Sequence, residues 1–211
     1  MMRKIIPLAI ILIVSVLITY FGYHYIKHDE SPLSKGSKSL LDLEAHWAQG
    51  NVVSLIRHTE RCDRSDGPCF DGKDGITVFG KEQAIKIGNA YAKLPKQDII
   101  IYNSPLKRTK QSADLMFTGK SSDKKWLRDG CKENLLDDIL KYKEEAKNLI
   151  LVTHDTCIDP LGEQQEDKLI KMDLNPEDTY GASFFLAINK EKSKAFFLGY
   201  LLADDWEQLY E

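Results

Sequence analysis

Three short apolar runs, residues 52–56, 99–102 and 149–152, constrain this chain more than any other feature. Each is rich in β-branched residues and free of charge, the pattern of a strand buried on both faces. Helical periodicity fills the gaps. Residues 78–93 place Ala84, Ile87, Gly88 and Tyr91 on one face and Glu82, Lys86, Asn89 and Lys93 on another. Residues 105–117 form a second helix, with Ser104 as a candidate N-cap and Pro105 at the first helical position. Further helices are predicted over 40–48 and 133–146. Two strand-like segments, 182–188 and 195–201, close the chain as a hairpin. Strand–helix alternation ending in a hairpin predicts an α/β three-layer sandwich with a mostly parallel central sheet.

The amino-terminal residues differ in kind. Arg3 and Lys4 precede an uncharged, mostly apolar run over 5–26, long enough to cross a bilayer as a helix. The run ends in Tyr20, Phe21, Gly22, Tyr23 and His24, without the small-residue pair of a cleavage site. This predicts an uncleaved signal anchor over 1–26, a polar stalk over 27–39 and a folded domain over 40–211. A cleaved signal peptide is the alternative. Positive charge ahead of the span keeps Arg3 and Lys4 cytoplasmic and sends the remainder across the membrane. The net charge of −3 gives no reason to propose nucleic acid as a partner.

All four cysteines, Cys62, Cys69, Cys131 and Cys157, lie in the exported part. In an oxidising compartment an even count suggests two bridges, of which three connectivities are possible. The turn-rich segment between Cys62 and Cys69 favours that pair, leaving Cys131 with Cys157; free buried thiols are the alternative. The cysteines show no CxxC spacing of the kind that holds a metal.

Each strand run delivers a polar group just past its carboxyl end: Arg57-His58, then Ser104 to Arg108, then His154-Asp155. In open α/β sheets ligands bind at that edge. Guanidinium forks hold a phosphoryl group bidentately, and a neutral imidazole with a free ring nitrogen can attack it.

The strings Leu55-Ile56-Arg57-His58, Gly75-Ile76-Thr77-Val78-Phe79-Gly80, Ser104-Pro105-Leu106-Lys107-Arg108-Thr109-Lys110-Gln111-Ser112-Ala113 and Val152-Thr153-His154, in that order, resemble the histidine phosphatase superfamily. The longer string from Arg57 to Ser65 is similar to a narrower group, the periplasmic lipopolysaccharide core heptose-phosphate phosphatases. The resemblance implies a phosphoglycerate mutase-like fold and a phosphohistidine at His58. It implies phosphate clamping by Arg57 and Arg108, a second pocket histidine at His154, and no cofactor or metal. It implies Asp155 as proton donor, with Glu133 and Glu60 as the alternatives. The chain departs from the family's pattern at Thr59, where glycine is usual; a side chain there narrows the pocket or turns the loop. Arg61 replaces a small hydroxyl residue and could add a third charge to the phosphate or to an anionic substrate. Hydrolysis of a phosphorylated core sugar at the membrane's outer face is the function so implied. A phosphatase for other small esters, or a silent phosphoglycan- or partner-binding relative, is the competing reading.

Overall fold

The computed structural model describes residues 33–34, 36–162, 176–189, 191 and 193–209. The candidate anchor over 1–26 lies outside the described residues, as does the stalk up to residue 32. Among the described residues no helix is long and apolar enough to cross a membrane.

The folded unit begins before residue 40. Leu33 is buried, and its N–H donates to the Tyr200 carbonyl. Helix α1 spans Lys38–Ala48, capped by the Ser37 hydroxyl accepting from the Leu40 N–H. Then follow β1 (Val52–Arg57), α2 (Val78–Tyr91), β2 (Ile99–Asn103), α3 (Lys107–Phe117) and the two-residue β3 (Ser122–Asp123). Next come α4 (Cys131–Tyr142), β4 (Asn148–Thr153), the short α5 (Asp155–Ile158), β5 (Ser183–Asn189), β6 (Lys194–Leu201) and α6 (Asp205–Leu209).

The six strands form one sheet in the order β3-β2-β4-β1-β5-β6. The first four are mutually parallel; β5 and β6 are antiparallel to their neighbours, so the sheet is mixed. Alternation along the strands fills two cores. Val52, Ile56, Ile150, Val152 and Phe185 pack with residues of α1, α2, α3 and α6. Val53, Leu55, Leu149, Leu151 and Phe184 pack with residues of α4 and α5 on the other face. Strands β1 and β4 are buried throughout, as uninterrupted apolar runs require, because helices cover both faces. Strand β2 departs from that expectation: Ile99 is exposed and the next three residues are only part-buried, since β2 has just a two-residue edge strand outside it.

Two close approaches require glycine. A Cβ on Gly88 would lie 2.2 Å from the Met116 carbonyl oxygen, where α2 crosses α3. A Cβ on Gly80 would lie 2.7 Å from the Glu60 carbonyl oxygen, where the first turn of α2 presses on the loop leaving β1.

Both disulfides form with the favoured connectivity, Cys62–Cys69 and Cys131–Cys157. The second fastens α4 to α5, the helix that begins at the carboxyl end of β4.

The amino-terminal end of α3 is a correction. It starts at Lys107, with Leu106 as N-cap and no side-chain cap. The Ser104 hydroxyl is engaged elsewhere, and the Ser104 carbonyl accepts from the Thr109 hydroxyl at 2.7 Å, which shapes the turn.

Candidate active site

The parallel register brings three strand ends together. Arg57 of β1 pairs with Thr153 of β4, and Asn103 of β2 pairs with Val152. The chain leaving each strand is stitched to its neighbour: the His58 N–H donates to the Thr153 carbonyl, and the Ser104 N–H to the Val152 carbonyl, both at 3.0 Å. His58, Ser104 and His154 therefore share one sheet edge.

The two imidazoles lie edge to face with centroids 5.3 Å apart. His58 Nδ1 is 2.9 Å from the Thr59 carbonyl, which can only accept; Nδ1 therefore carries the proton and Nε2 the lone pair. Arg108 donates from Nε to His58 Nε2 at 3.2 Å and reaches His154 Nδ1 from Nη2 at 3.5 Å. Arginine only donates, so His154 Nδ1 accepts and its Nε2–H donates to the Ser104 hydroxyl at 2.9 Å.

Both rings are neutral near pH 7. Burial pushes His58 well below the ordinary histidine value, and the charges of His154, Arg108 and Arg57 act in the same direction, while the Thr59 carbonyl opposes them. Burial, followed by the Arg108 charge, lowers His154 to about 4; Asp155 pulls the other way.

Arg57 is almost fully buried. Its Nη1 donates to the Thr179 hydroxyl, its Nη2 pairs with Asp155 Oδ2 at 2.9 Å, and its guanidinium lies 4.1 Å over the Tyr180 ring. Asp155 is 28% exposed, and its Oδ1 accepts from the Thr156 N–H at 2.7 Å. Arg108 stands in the uncapped first turn of α3, where backbone amides favour an anion. Two guanidinium groups, two neutral imidazoles and one carboxylate thus converge. Such a set can hold a phosphoryl dianion, attack it from His58 Nε2 and exchange a proton with a leaving oxygen.

Arg61 is near enough to depress both Arg108 and His154, yet it is held bidentately by Asp63, each N–O distance being 2.5 Å. Its charge at the mouth is therefore partly neutralised. Thr59 neither narrows the pocket nor faces it. The residue is fully buried; the Ser112 hydroxyl accepts from its N–H and lies 3.1 Å from its hydroxyl, tying the β1 loop to α3. Glu60 turns aside, one carboxylate oxygen accepting from the Thr77 hydroxyl at 2.5 Å. Glu133 is exposed in the first turn of α4.

Several site residues escaped the sequence reading. Thr179 and Tyr180 hold Arg57, and Tyr180 lies 5.7 Å from the His58 ring. No motif signals them; they arrive because β5 runs antiparallel to β1, with Ser183 opposite Ile56. Ser104 was visible but misassigned to capping.

No family model matches the chain. Against solved structures the chain is similar to a candidate phosphohistidine phosphatase, SixA, from Agrobacterium tumefaciens. The TM-score is 0.54 at 17% identity, covering 72% of this chain and 98% of that one. A phosphoserine phosphatase from Entamoeba histolytica, solved with phosphoserine, matches with a TM-score of 0.50 at 14% identity, over 73% of this chain and 98% of that one. The fold is the phosphoglycerate mutase-like α/β fold. Within it, three of the four motifs meet at the sheet edge just described, and the fourth, Gly75 to Gly80, leads into α2. Among curated proteins, the chain is 38% identical over 128 residues to lipopolysaccharide core heptose(II)-phosphate phosphatases of Escherichia coli O1:K1 / APEC and Shigella flexneri serotype 5b. Those matches cover 59% of this chain and 63% of each relative, so the chain spans less than two thirds of their length.

Proposed function

We propose that this fold hydrolyses a phosphomonoester through a phosphohistidine on His58, and that the ester is a phosphorylated heptose of the lipopolysaccharide core. The observation that carries the reaction is the state of His58. It is buried, neutral and protonated at Nδ1 by the Thr59 carbonyl contact, with its Nε2 lone pair aimed at the Arg108 guanidinium. The substrate class rests on the names of the curated relatives.

Arg57 and Arg108 clamp the phosphoryl oxygens. His58 Nε2 forms the N–P bond as the P–O bond to the sugar breaks. The phosphate takes over Arg57 from Asp155, and the released carboxylate, open to solvent, takes up a proton from it and gives that proton to the departing sugar oxygen. Water then attacks phosphorus, passes a proton back to Asp155 and releases inorganic phosphate, returning His58 with its lone pair. His154, fixed by Ser104, donates no proton in this sequence; it completes the wall facing the phosphoryl oxygens.

We place the enzyme in the periplasm, held to the inner membrane by residues 5–26. The apolar run and the two disulfides support that location. Protease added to spheroplasts is expected to degrade the domain; protection would place it inside.

The test of activity is phosphate release from purified lipopolysaccharide. Wild type is expected to release phosphate and to yield acid-labile phosphate on His58 in rapid quench, and His58→Ala to do neither. Release undiminished in His58→Ala would overturn the mechanism. Release of phosphate from small esters but not from lipopolysaccharide would overturn the substrate.

A further inference from the structure

A concavity beside the histidine pair is lined in part by Tyr180, the ring that also neighbours Arg57 and His58. It holds about 460 Å³, and its lining includes Glu60, Phe79, Gln83, Asp178, Asp204 and Asp205. Its character is opposite to that of the arginine-bearing site. Four carboxylates make it acidic, of which Asp205 already accepts from the Leu202 N–H at 3.0 Å, and the Phe79 ring, 53% exposed, gives it an apolar face.

Gln83 gives the groove its direction. The side chain is only 9% exposed, and its oxygen accepts from the Glu60 N–H at 3.4 Å. Its –NH2 group donates to no described residue and belongs to a side chain that lines the groove. That donor is open to the groove and available to an acceptor bound there. Glu60 is pre-positioned by its bond from Thr77, with its second oxygen left to accept. The groove therefore offers a donor, carboxylate acceptors and a ring face. An anionic group would be repelled by the carboxylates. An ammonium group would suit them but has no lone pair for Gln83. A sugar hydroxyl both donates and accepts, and a sugar ring presents C–H groups to an aromatic face.

We propose that this groove is a specificity subsite for a neutral sugar ring attached to the phosphorylated one, read by Gln83, Glu60 and Asp178 and packed on Phe79. The proposal rests on the phosphatase reading for its kinetic test but not for its binding test.

Two substrates separate the subsite from the phosphate pocket: a heptose phosphate bearing a neutral neighbouring sugar, and nitrophenyl phosphate. Gln83→Glu keeps the oxygen that accepts from Glu60 and removes the donor. Phe79→Ala removes an exposed ring and leaves the core intact. Each is expected to raise KM for the disaccharide phosphate by about tenfold, the worth of one well-placed hydrogen bond or ring contact. Turnover of nitrophenyl phosphate is expected to stay within about twofold, since neither residue touches the histidine pair. In parallel, binding of the phosphate-free neutral disaccharide to the full-length protein is followed by saturation-transfer NMR, with signal expected from wild type and loss in both variants. Equal changes on both substrates, no change on either, or disaccharide binding that is absent or insensitive to the variants would overturn the subsite. Preference for an amino-substituted neighbour over a neutral one would also overturn it. Should wild type hydrolyse neither substrate, the phosphatase reading fails and the binding measurement alone decides the groove.

Discussion

Asp155→Asn separates the proton donor from the rest of the site. In the structure the carboxylate spans two contacts: Oδ2 on Arg57 at 2.9 Å and Oδ1 accepting from the Thr156 N–H at 2.7 Å. Asparagine keeps the second and loses the first. Arg57 is only 3% exposed and Asp155 28%, so losing the carboxylate leaves a buried guanidinium with Thr179 and Tyr180, at a cost of about 3 kcal/mol. For a domain of this size that is a fall in Tm of roughly 6–12 °C, so the assay is run well below the variant's melting point. The catalytic loss is separate. A positioned acid contributes about 10²–10⁴-fold, equivalent to roughly 3–5 kcal/mol of barrier, when the leaving group is a sugar hydroxyl. Nitrophenolate departs without a proton, so its loss is expected to stay below about tenfold. The assay is kcat on a sugar phosphate and on nitrophenyl phosphate, with rapid-quench trapping of phosphate on His58 in the variant. Equal losses on both substrates would refute the reasoning: Asp155 would then be shaping Arg57, and the donor would be sought at Glu60 or Glu133.

Two further perturbations test the electrostatics and the framework. His154 is held at about 4 in the folded protein against 6.5 for an exposed histidine, so between those values the unfolded chain binds a proton that the folded chain refuses. Stability is therefore lost as pH falls from 6.5 to 4, on the order of 3 kcal/mol from this residue, and His154→Asn is expected to flatten the denaturation profile in that window; parallel profiles would refute the assignment. The Cys131–Cys157 bridge closes a separation of 26 residues, worth about 3.5 kcal/mol in the chain-entropy model. The double Cys→Ala variant is expected to melt roughly 7–14 °C lower by calorimetry, and an unchanged Tm would show that the bridge constrains nothing.

The legible part of this molecule was the part where chemistry and strand are adjacent in the chain. Arg57 ends β1 and His58 follows it, and His154 and Asp155 follow β4, so a buried parallel strand is enough to put each of them at the sheet edge. Arg108 was legible for the same reason, in the first turn of α3. Thr179 and Tyr180 were not, because their place depends on long-range antiparallel pairing of β5 onto β1, and nothing local in Thr179-Tyr180-Gly181 reports that partner. Ser104 shows a different limit. Serine before a helical pattern reads as a cap, and only the arrival of His154 from residues far along the chain gives its hydroxyl a stronger use. Glu60 and Gln83 carry the same lesson: an acid two residues from His58 looks like a proton donor, while Thr77 and Gln83 turn it toward the neighbouring groove.

The departure at Thr59 shows how a motif can change without changing its site. A residue directly after the nucleophile would obstruct phosphate if its side chain faced the arginines. Here the backbone sends it to the opposite side, where the Ser112 hydroxyl accepts from its N–H, stands 3.1 Å from its hydroxyl and itself donates to the Arg108 carbonyl at 2.8 Å. The same threonine methyl lies 3.6 Å from where a Cβ on Gly181 would stand. Thr59 thus fastens the His58 loop to the helix that carries Arg108, while the Gly181 N–H, donating to the His58 carbonyl at 3.3 Å, ties in the segment that carries Tyr180. The residues that do stand beside the histidine pair are a different set: Tyr180, near the His58 ring, and Arg61, whose charge acts on His154 and which is bound to Asp63 within the loop that the Cys62–Cys69 bridge closes. A Thr59 replacement is therefore expected to act on the alignment of His58 with Arg108 rather than on the room beside them.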